Sequence, residues 1–175
     1  MCSSYQAKEI SPMGDDAGAA EPKYLPGYVN CFCCGQKNES GLQLRFYFED
    51  GYIKCQFVPE KRFEGYSGNV HGGVLCALLD EIMGWAPTYH HRRMCVTGKL
   101  EFRFLRAIPL NQKYICQAKM TAGNRRLWEA QGQVLDEAGN VYAEGQGLYI
   151  PSSEEETRKV VSYLTNYPNG ERPFD

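Results

Sequence analysis

The sequence predicts an α+β domain in which an antiparallel sheet wraps around one long buried helix, and three observations carry that prediction. Residues 71–86, HGGVLCALLDEIMGWA, spread Val74, Leu75, Leu78, Leu79, Ile82, Met83 and Trp85 over most of a helical surface, so a helix there has to be buried nearly all round. The segments on both sides of it alternate apolar and polar residues with period two, as half-buried strands do. The later strands are separated only by short turn signals, which suits a meander of antiparallel neighbours. A single apolar helix is covered on most sides only if a curved sheet wraps it and something else, such as a second subunit, covers the rest.

Residues 1–28 mix Ser, Gly, Ala, Pro and charge without apolar periodicity and are expected to form a flexible N-terminal arm, disordered or laid over a neighbour. The main domain is expected over residues 29–150. Leu42, Leu44, Phe46 and Phe48 share one face, Asp50-Gly51 is a favoured turn dipeptide, and Ile53, Cys55 and Phe57 continue the alternation, which makes a hairpin. After the helix, Val96, Gly98, Leu100, Phe102 and Phe104 resume period two. Tyr114, Cys116, Ala118 and Met120 mark a strand near 113–121; Gly123-Asn124 separates it from 126–135, and residues 137–140 separate that from 141–150. In the tail, 151–175, Ser153-Glu154-Glu155-Glu156 is a capping-box pattern. It either starts a short surface or partner-packing helix through Val160, Val161 and Leu164, or belongs to a frayed terminus.

With 175 residues, 43% of them hydrophobic, the chain suits one domain with a substantial core. A formal net charge of −2 leaves no basic excess for a phosphate backbone, so nucleic acid is not an expected partner. The longest clean apolar run, 74–79, falls far short of the roughly 18 residues that would suggest a membrane span. The opening MCSSYQAKEISPMGDD has no basic segment leading into an apolar run, so a cytoplasmic location is expected. Of eight cysteines, Cys55, Cys76, Cys95 and Cys116 sit singly in apolar segments, where free cysteine behaves as a small hydrophobe. Reduced thiols are expected, and the sequon Asn38-Glu39-Ser40 reads as chance.

The densest chemistry lies in Asn69-Val70-His71-Gly72-Gly73 running into the buried helix, where Asp80 and Glu81 are the only acids. A carboxylate at the end of a pocket is what general-base or nucleophilic catalysis requires; the alternative is a solvated notch, or a pairing with buried backbone. The glycines either permit a tight strand-to-helix turn or let a substrate carbonyl approach the N–H groups that a helix leaves unbonded in its first turn, forming an oxyanion hole. Gly72 and Asp80 are eight residues apart, about 12 Å along a helix axis, so one carbonyl cannot touch both. If both act on one substrate, they come from two subunits whose helices run antiparallel across a two-fold axis.

The segment GNVHGGVLCALLDEIMGWA resembles the helix signature of hotdog-fold acyl-CoA thioesterases of the phenylacetate-pathway and hydroxybenzoyl-CoA thioesterase group. The resemblance spans about residues 29–150, and CFCCGQKNESGLQL is similar to the Cys-Gly-containing segment that precedes the first strand in many of these proteins. It implies a hotdog fold and hydrolysis of an acyl-CoA to free acid and coenzyme A, in a homodimer or a dimer of dimers, without a further cofactor. It further implies that Asp80 is the general base or nucleophile, that the Gly72 backbone N–H binds the thioester carbonyl, and that His71 positions or polarises it. Gly73 and Asn69 line the substrate site, and Thr97 falls where relatives often have a hydroxyl residue near the attacking water. One departure stands out: some relatives have an Asn six residues before the His, whereas Gly65 is there and the nearest amide is Asn69.

Cys31-Phe32-Cys33-Cys34-Gly35 has a C-x-x-C spacing, but a structural zinc site needs two further ligands, and no second C-x-x-C or H-x-x-x-H exists. His90 and His91 are adjacent, so their side chains are expected to diverge. No metal and no essential disulfide are expected. Gly65-Tyr66-Ser67-Gly68-Asn69 lacks the final Gly of a serine nucleophile elbow. Arg92-Arg93 and Arg125-Arg126 could meet phosphates of coenzyme A or simply be solvated turns. Three functions survive: acyl-CoA hydrolysis, a non-catalytic acyl-CoA binding module on the same fold, and a metal- or thiol-based module on residues 31–34. An acid at Asp80 behind the His-Gly-Gly turn favours the first.

Overall fold

The computed structural model describes residues 22–175; most of the expected N-terminal arm, residues 1–21, lies outside them. The described chain begins with a short strand, β1 (Gly27–Tyr28), then the hairpin β2 (Tyr47–Glu49) and β3 (Tyr52–Phe57). Helix α1 (Gly72–His91) follows, then β4 (Cys95–Phe104), β5 (Tyr114–Gly123), β6 (Trp128–Asp136) and β7 (Val141–Pro151), and the chain closes with α2 (Glu154–Val161) and β8 (Leu164–Thr165). Six strands form one sheet in the order β2-β3-β5-β6-β7-β4, with every neighbouring pair antiparallel. Helix α1 packs on one face of it and buries Leu75, Leu78, Leu79, Ile82, Met83 and Trp85.

The hairpin forms where the turn dipeptide placed it, with Asp50 and Gly51 both at positive φ, the conformation that two-residue hairpin turns demand. The expected face does not run its full length. Leu42, Leu44 and Phe46 are buried, but Phe48 is exposed and stacks on Tyr89 at 4.6 Å between centroids. Residues 42–46 are not a ladder strand either; Leu42 and Leu44 donate their N–H groups to the carbonyls of Phe32 and Cys33.

Helix α1 continues five residues past the expected end at 86. Pro87 removes one backbone donor, yet Ala86, Pro87 and Thr88 are all buried, and that packing carries the helix on to an αL cap at Arg92. His90 and His91 do not diverge: their rings meet edge to face at 4.8 Å, and His91 stacks on Trp128.

The part of the helix that the sheet leaves open is covered partly by the chain itself. Cys33 donates its thiol to the carbonyl of Ala77, and Phe174 from the C-terminal tail lies against Trp85. The boundary expected at residue 28 falls inside folded chain, because Leu25 is buried, its N–H donates to Phe46, and β1 pairs with β8. The capping box at Ser153 forms in full: the Glu156 N–H donates to Ser153 Oγ at 3.1 Å and the Ser153 N–H to Glu156 Oε2 at 2.8 Å. Leu164 belongs to β8 rather than to the helix.

In β4 the ladder to β7 slips by one residue between Thr97 and Lys99, leaving Gly98 as a bulge. A bulge inserts one unpaired residue and so reverses which side chains face which side. Val96, expected on the inward face, is therefore exposed, whereas Cys95 and Thr97 reach α1; Phe104 keeps the phase of Leu100 and Phe102 and is exposed at the end of the strand, beside Gly72.

Candidate active site

The start of α1 is held by its neighbours on both sides: the Val70 N–H donates to Ile108 O and the His71 N–H to Phe63 O. His71 is the N-cap, and its Nδ1 accepts from the Gly73 N–H at 2.9 Å. In the neutral ring the proton is therefore on the exposed Nε2. Val74 and Leu75 both donate to His71 O. The Gly72 N–H is left: no acceptor among the described residues takes it. Gly72 is half-buried beside Phe104, with room for a Cβ at an ordinary 3.7 Å from that ring.

Gly65 is where some relatives of the resembling family have Asn, and the geometry explains the departure. A Cβ there would lie 2.8 Å from His71 Cα, so the turn under the histidine admits no side chain. Asn69 does not replace the amide, because its Nδ2 donates to Ser67 O within its own turn. The exposed Gly73 packs against the His71 ring, which a Cβ would approach to 3.0 Å.

Further along α1, Asp80 meets two hydroxyls. Thr97 Oγ1 donates to Asp80 Oδ1 at 2.8 Å; Tyr149 OH lies 3.1 Å from the Asp80 carbonyl and 3.4 Å from Oδ1. No hydrogen bond from the described residues reaches Oδ2. Thr97 and Tyr149 are register partners across β4 and β7, so both side chains stand on the face that meets the helix. Burial, and then the negative charge of Asp80, push the Tyr149 phenol up, which keeps it a neutral donor. These groups border a cavity of about 120 Å³ with Glu81, Thr88 and Cys95. A larger hollow of about 630 Å³ lies among Gln117, Lys119, Gln131, Gln133 and Glu144 on the sheet, but none of the residues above line it. The expected site residues Asp80 and Thr97 line the smaller one.

Tyr149 escaped the sequence reading although its signal was present: Ala143, Gly145, Gly147 and Tyr149 alternate on the inward face of β7. Its hydroxyl is placed to orient Asp80. Tyr149→Phe is expected to lower kcat by up to about tenfold, as loss of one such hydrogen bond allows, with KM little changed. A folded variant with the parental kcat would remove Tyr149 from the site.

Glu81, the other acid of the helix, points elsewhere. Its Oε1 lies 3.7 Å from Cys31 Sγ, and burial, followed by the charge of Cys31, pushes its carboxyl up to about 7. Hydrogen bonds from Cys33 and Cys34 hold the Cys31 thiol well below the usual thiol range. The seven described cysteines are free thiols. Counting ligands along the sequence missed Glu81, which only the fold brings to Cys31 and Cys34. None of the four arginines of the two pairs lines the cavity beside Asp80; Arg92 donates to Asp175 O and Arg93 to Ser152 O.

One long helix against a six-stranded antiparallel sheet, with a His-Gly-Gly turn at its start, is the hotdog arrangement. Residues 67–143 match the family model of the thioesterase superfamily. A solved thioesterase superfamily protein is 23% identical with a TM-score of 0.65; the match covers 69% of this chain and only 60% of that one. A thioesterase-like, phenylacetic acid degradation-related protein from Ralstonia eutropha is 22% identical over 62% of this chain and 85% of its own, with a TM-score of 0.56. A hypothetical thioesterase from Streptococcus pneumoniae, solved with coenzyme A, is 19% identical over 60% and 84%, with a TM-score of 0.56. No curated protein matches the chain. Among the described residues, no helix is long and apolar enough to cross a membrane.

Proposed function

We propose that the protein hydrolyses an acyl-CoA thioester to the free acid and coenzyme A. The observation that carries this is the division of labour at Asp80. Thr97 and Tyr149 occupy Oδ1 and leave Oδ2 free to accept a proton from water. In this reading Asp80 takes that proton, hydroxide adds to the carbonyl carbon, and the C–S bond breaks as the proton passes to the leaving sulfur. The alternative role for Asp80 uses the same oxygen: it attacks the carbonyl, the C–S bond breaks to release the coenzyme A thiolate, and water then opens the resulting anhydride to the free acid and the carboxylate. The Gly72 N–H receives the oxyanion, with His71 Nε2–H as a neighbouring donor, and Gly73 and Asn69 shape the approach. The match of residues 67–143 to the thioesterase superfamily model supports a thioesterase-type reaction, and the coenzyme A bound by the Streptococcus pneumoniae protein supports the substrate class. Coenzyme A enters as part of the substrate, and the hydrolysis needs no other cofactor.

A cavity of about 120 Å³ is smaller than the roughly 300 Å³ at which ligand pockets begin. A second copy supplies the missing wall in this reading. β4 is an edge strand, and Val96, Phe104, Leu105 and Ile150 are exposed beside it. Gly72 lies by the Phe104 end of β4 and Asp80 by the Thr97 end. Two β4 edges paired antiparallel about a point near Leu100 would bring the first end of one chain to the second end of the other, and with it Gly72 of one subunit to Asp80 of its partner. The protein is therefore expected to be at least a homodimer, with two dimers able to form a tetramer. Light scattering that finds an active monomer at micromolar concentration would remove the composite site.

A panel of aromatic, short and long acyl-CoAs tests the activity and identifies the acyl group. A dimer that binds members of the panel but hydrolyses none would instead be an acyl-CoA binding module.

A further inference from the structure

We propose that Cys31, Cys34 and Glu81 bind a zinc ion that fastens the loop before the sheet to helix α1, independently of the hydrolytic site. The ligand atoms of these three residues all lie within 4.8 Å of one another. In tetrahedral zinc coordination, with Zn–S about 2.3 Å and Zn–O about 2.0–2.2 Å, neighbouring sulfur and oxygen ligands stand about 3.6 Å apart. The separation of Cys31 Sγ and Glu81 Oε1 is 3.7 Å.

The loop is built to hold a sulfur in place. The backbone N–H groups of Cys33 and Cys34 both point at Cys31 Sγ, at 3.3 and 3.5 Å, and the Gly35 N–H closes the turn on Cys31 O at 3.0 Å. A Cβ at Gly35 would fall 2.4 Å from that carbonyl oxygen, so the turn requires glycine. Two side-chain amides lock the rest: Gln36 reaches the carbonyls of Cys34, Gln43 and Leu44, and Asn38 those of Asn30 and Cys31. The third ligand comes from the helix, fifty residues later in the chain.

Glu81 is what favours a cation over a disulfide. It is only half-exposed, faces two sulfurs, and takes part in none of the ion pairs formed among the described residues. A carboxylate so placed needs positive charge or a proton. A Cys31–Cys34 disulfide would leave it with neither partner, and the pair lies in a turn rather than at a helix start, where redox-active C-x-x-C pairs are found. Zinc binding displaces the thiol protons of Cys31 and Cys34 to solvent and leaves the fourth position to water. Two thiolates and one carboxylate are a donor set suited to zinc.

The test uses the full chain, reduced and stripped with a chelator, then titrated with Zn²⁺ alone and with Co²⁺ alone. One zinc per chain, a rise in Tm with zinc, and thiolate-to-cobalt charge-transfer absorption are expected. Cys31→Ser and Cys34→Ser should each abolish the charge-transfer signal, Glu81→Gln should weaken zinc binding by at least about tenfold, and Cys76→Ser should change neither. Failure of the parent to take up zinc overturns the proposal, as does uptake unaltered in Cys31→Ser or an intact Cys31–Cys34 disulfide in protein that binds no metal. Should a Ser variant not fold, the cobalt spectrum of the parent decides: thiolate bands support the site, and their absence removes it. None of these readouts depends on hydrolysis, so they stand apart from the proposed activity.

Discussion

Asp80→Asn is expected to lower acyl-CoA hydrolysis by at least about a hundredfold, the low end for loss of a general base. The amide keeps the size of the side chain, and its carbonyl oxygen still accepts from Thr97 and Tyr149, so the fold and substrate binding should survive. What is lost is the oxygen that accepts a proton. Steady-state kinetics beside a binding measurement check this: kcat should collapse while affinity for acyl-CoA holds. If the variant turns over like the parent, the assignment of Asp80 is wrong. Glu81 is the other acid of the helix, but it faces the cysteines rather than Thr97.

The second large effect is expected from Gly72→Pro, which deletes the one first-turn N–H of α1 that no described residue accepts. Removing one oxyanion-hole donor typically costs about 2.7 to 4 kcal/mol of barrier, a fall of roughly a hundred- to a thousandfold in turnover. The backbone is suited to the exchange. Gly72 is the first helical residue, where proline is best tolerated, and His71 before it is at φ −66 and ψ 133, the extended conformation that a residue preceding proline prefers. Gly73→Ala should be milder, because its N–H is already given to His71. Circular dichroism and light scattering establish that the proline variant is a folded dimer. Undiminished turnover in such a dimer would show that the thioester carbonyl is held elsewhere.

The helix and the hairpin were legible because their signals are local. Apolar residues over most of a 3.6-residue period announce a buried helix, and Asp50-Gly51 names its own turn. The helix end was not legible: proline at 87 is a stop signal on local grounds, and only tertiary burial of Ala86 to Thr88 overrides it. Phe48 was misplaced because alternation cannot tell where a strand leaves the core. At the site, the His-Gly-Gly turn and Asp80 could be picked out by residue type and spacing. Tyr149 could have been found from alternation in β7, but a tyrosine among inward glycines reads first as packing. The meeting of Glu81 with Cys31 had no sequence signal, since fifty residues and a whole sheet edge separate them.

The bulge at Gly98 leaves the two halves of β4 out of phase. If the ladder slid by one residue and paired without a break, Val96 would face the carboxylate and Thr97 would face away. Apolar patterning alone favours that arrangement, since Val96 is 58% exposed in the single chain and would be covered. The fold instead leaves a valine uncovered and a ladder interrupted so that a hydroxyl stands at Asp80. With Asp80 as the proposed base, stability and activity make opposite demands on the same few residues, and a change that smoothed this strand is expected to strengthen the sheet at the expense of the proposed chemistry.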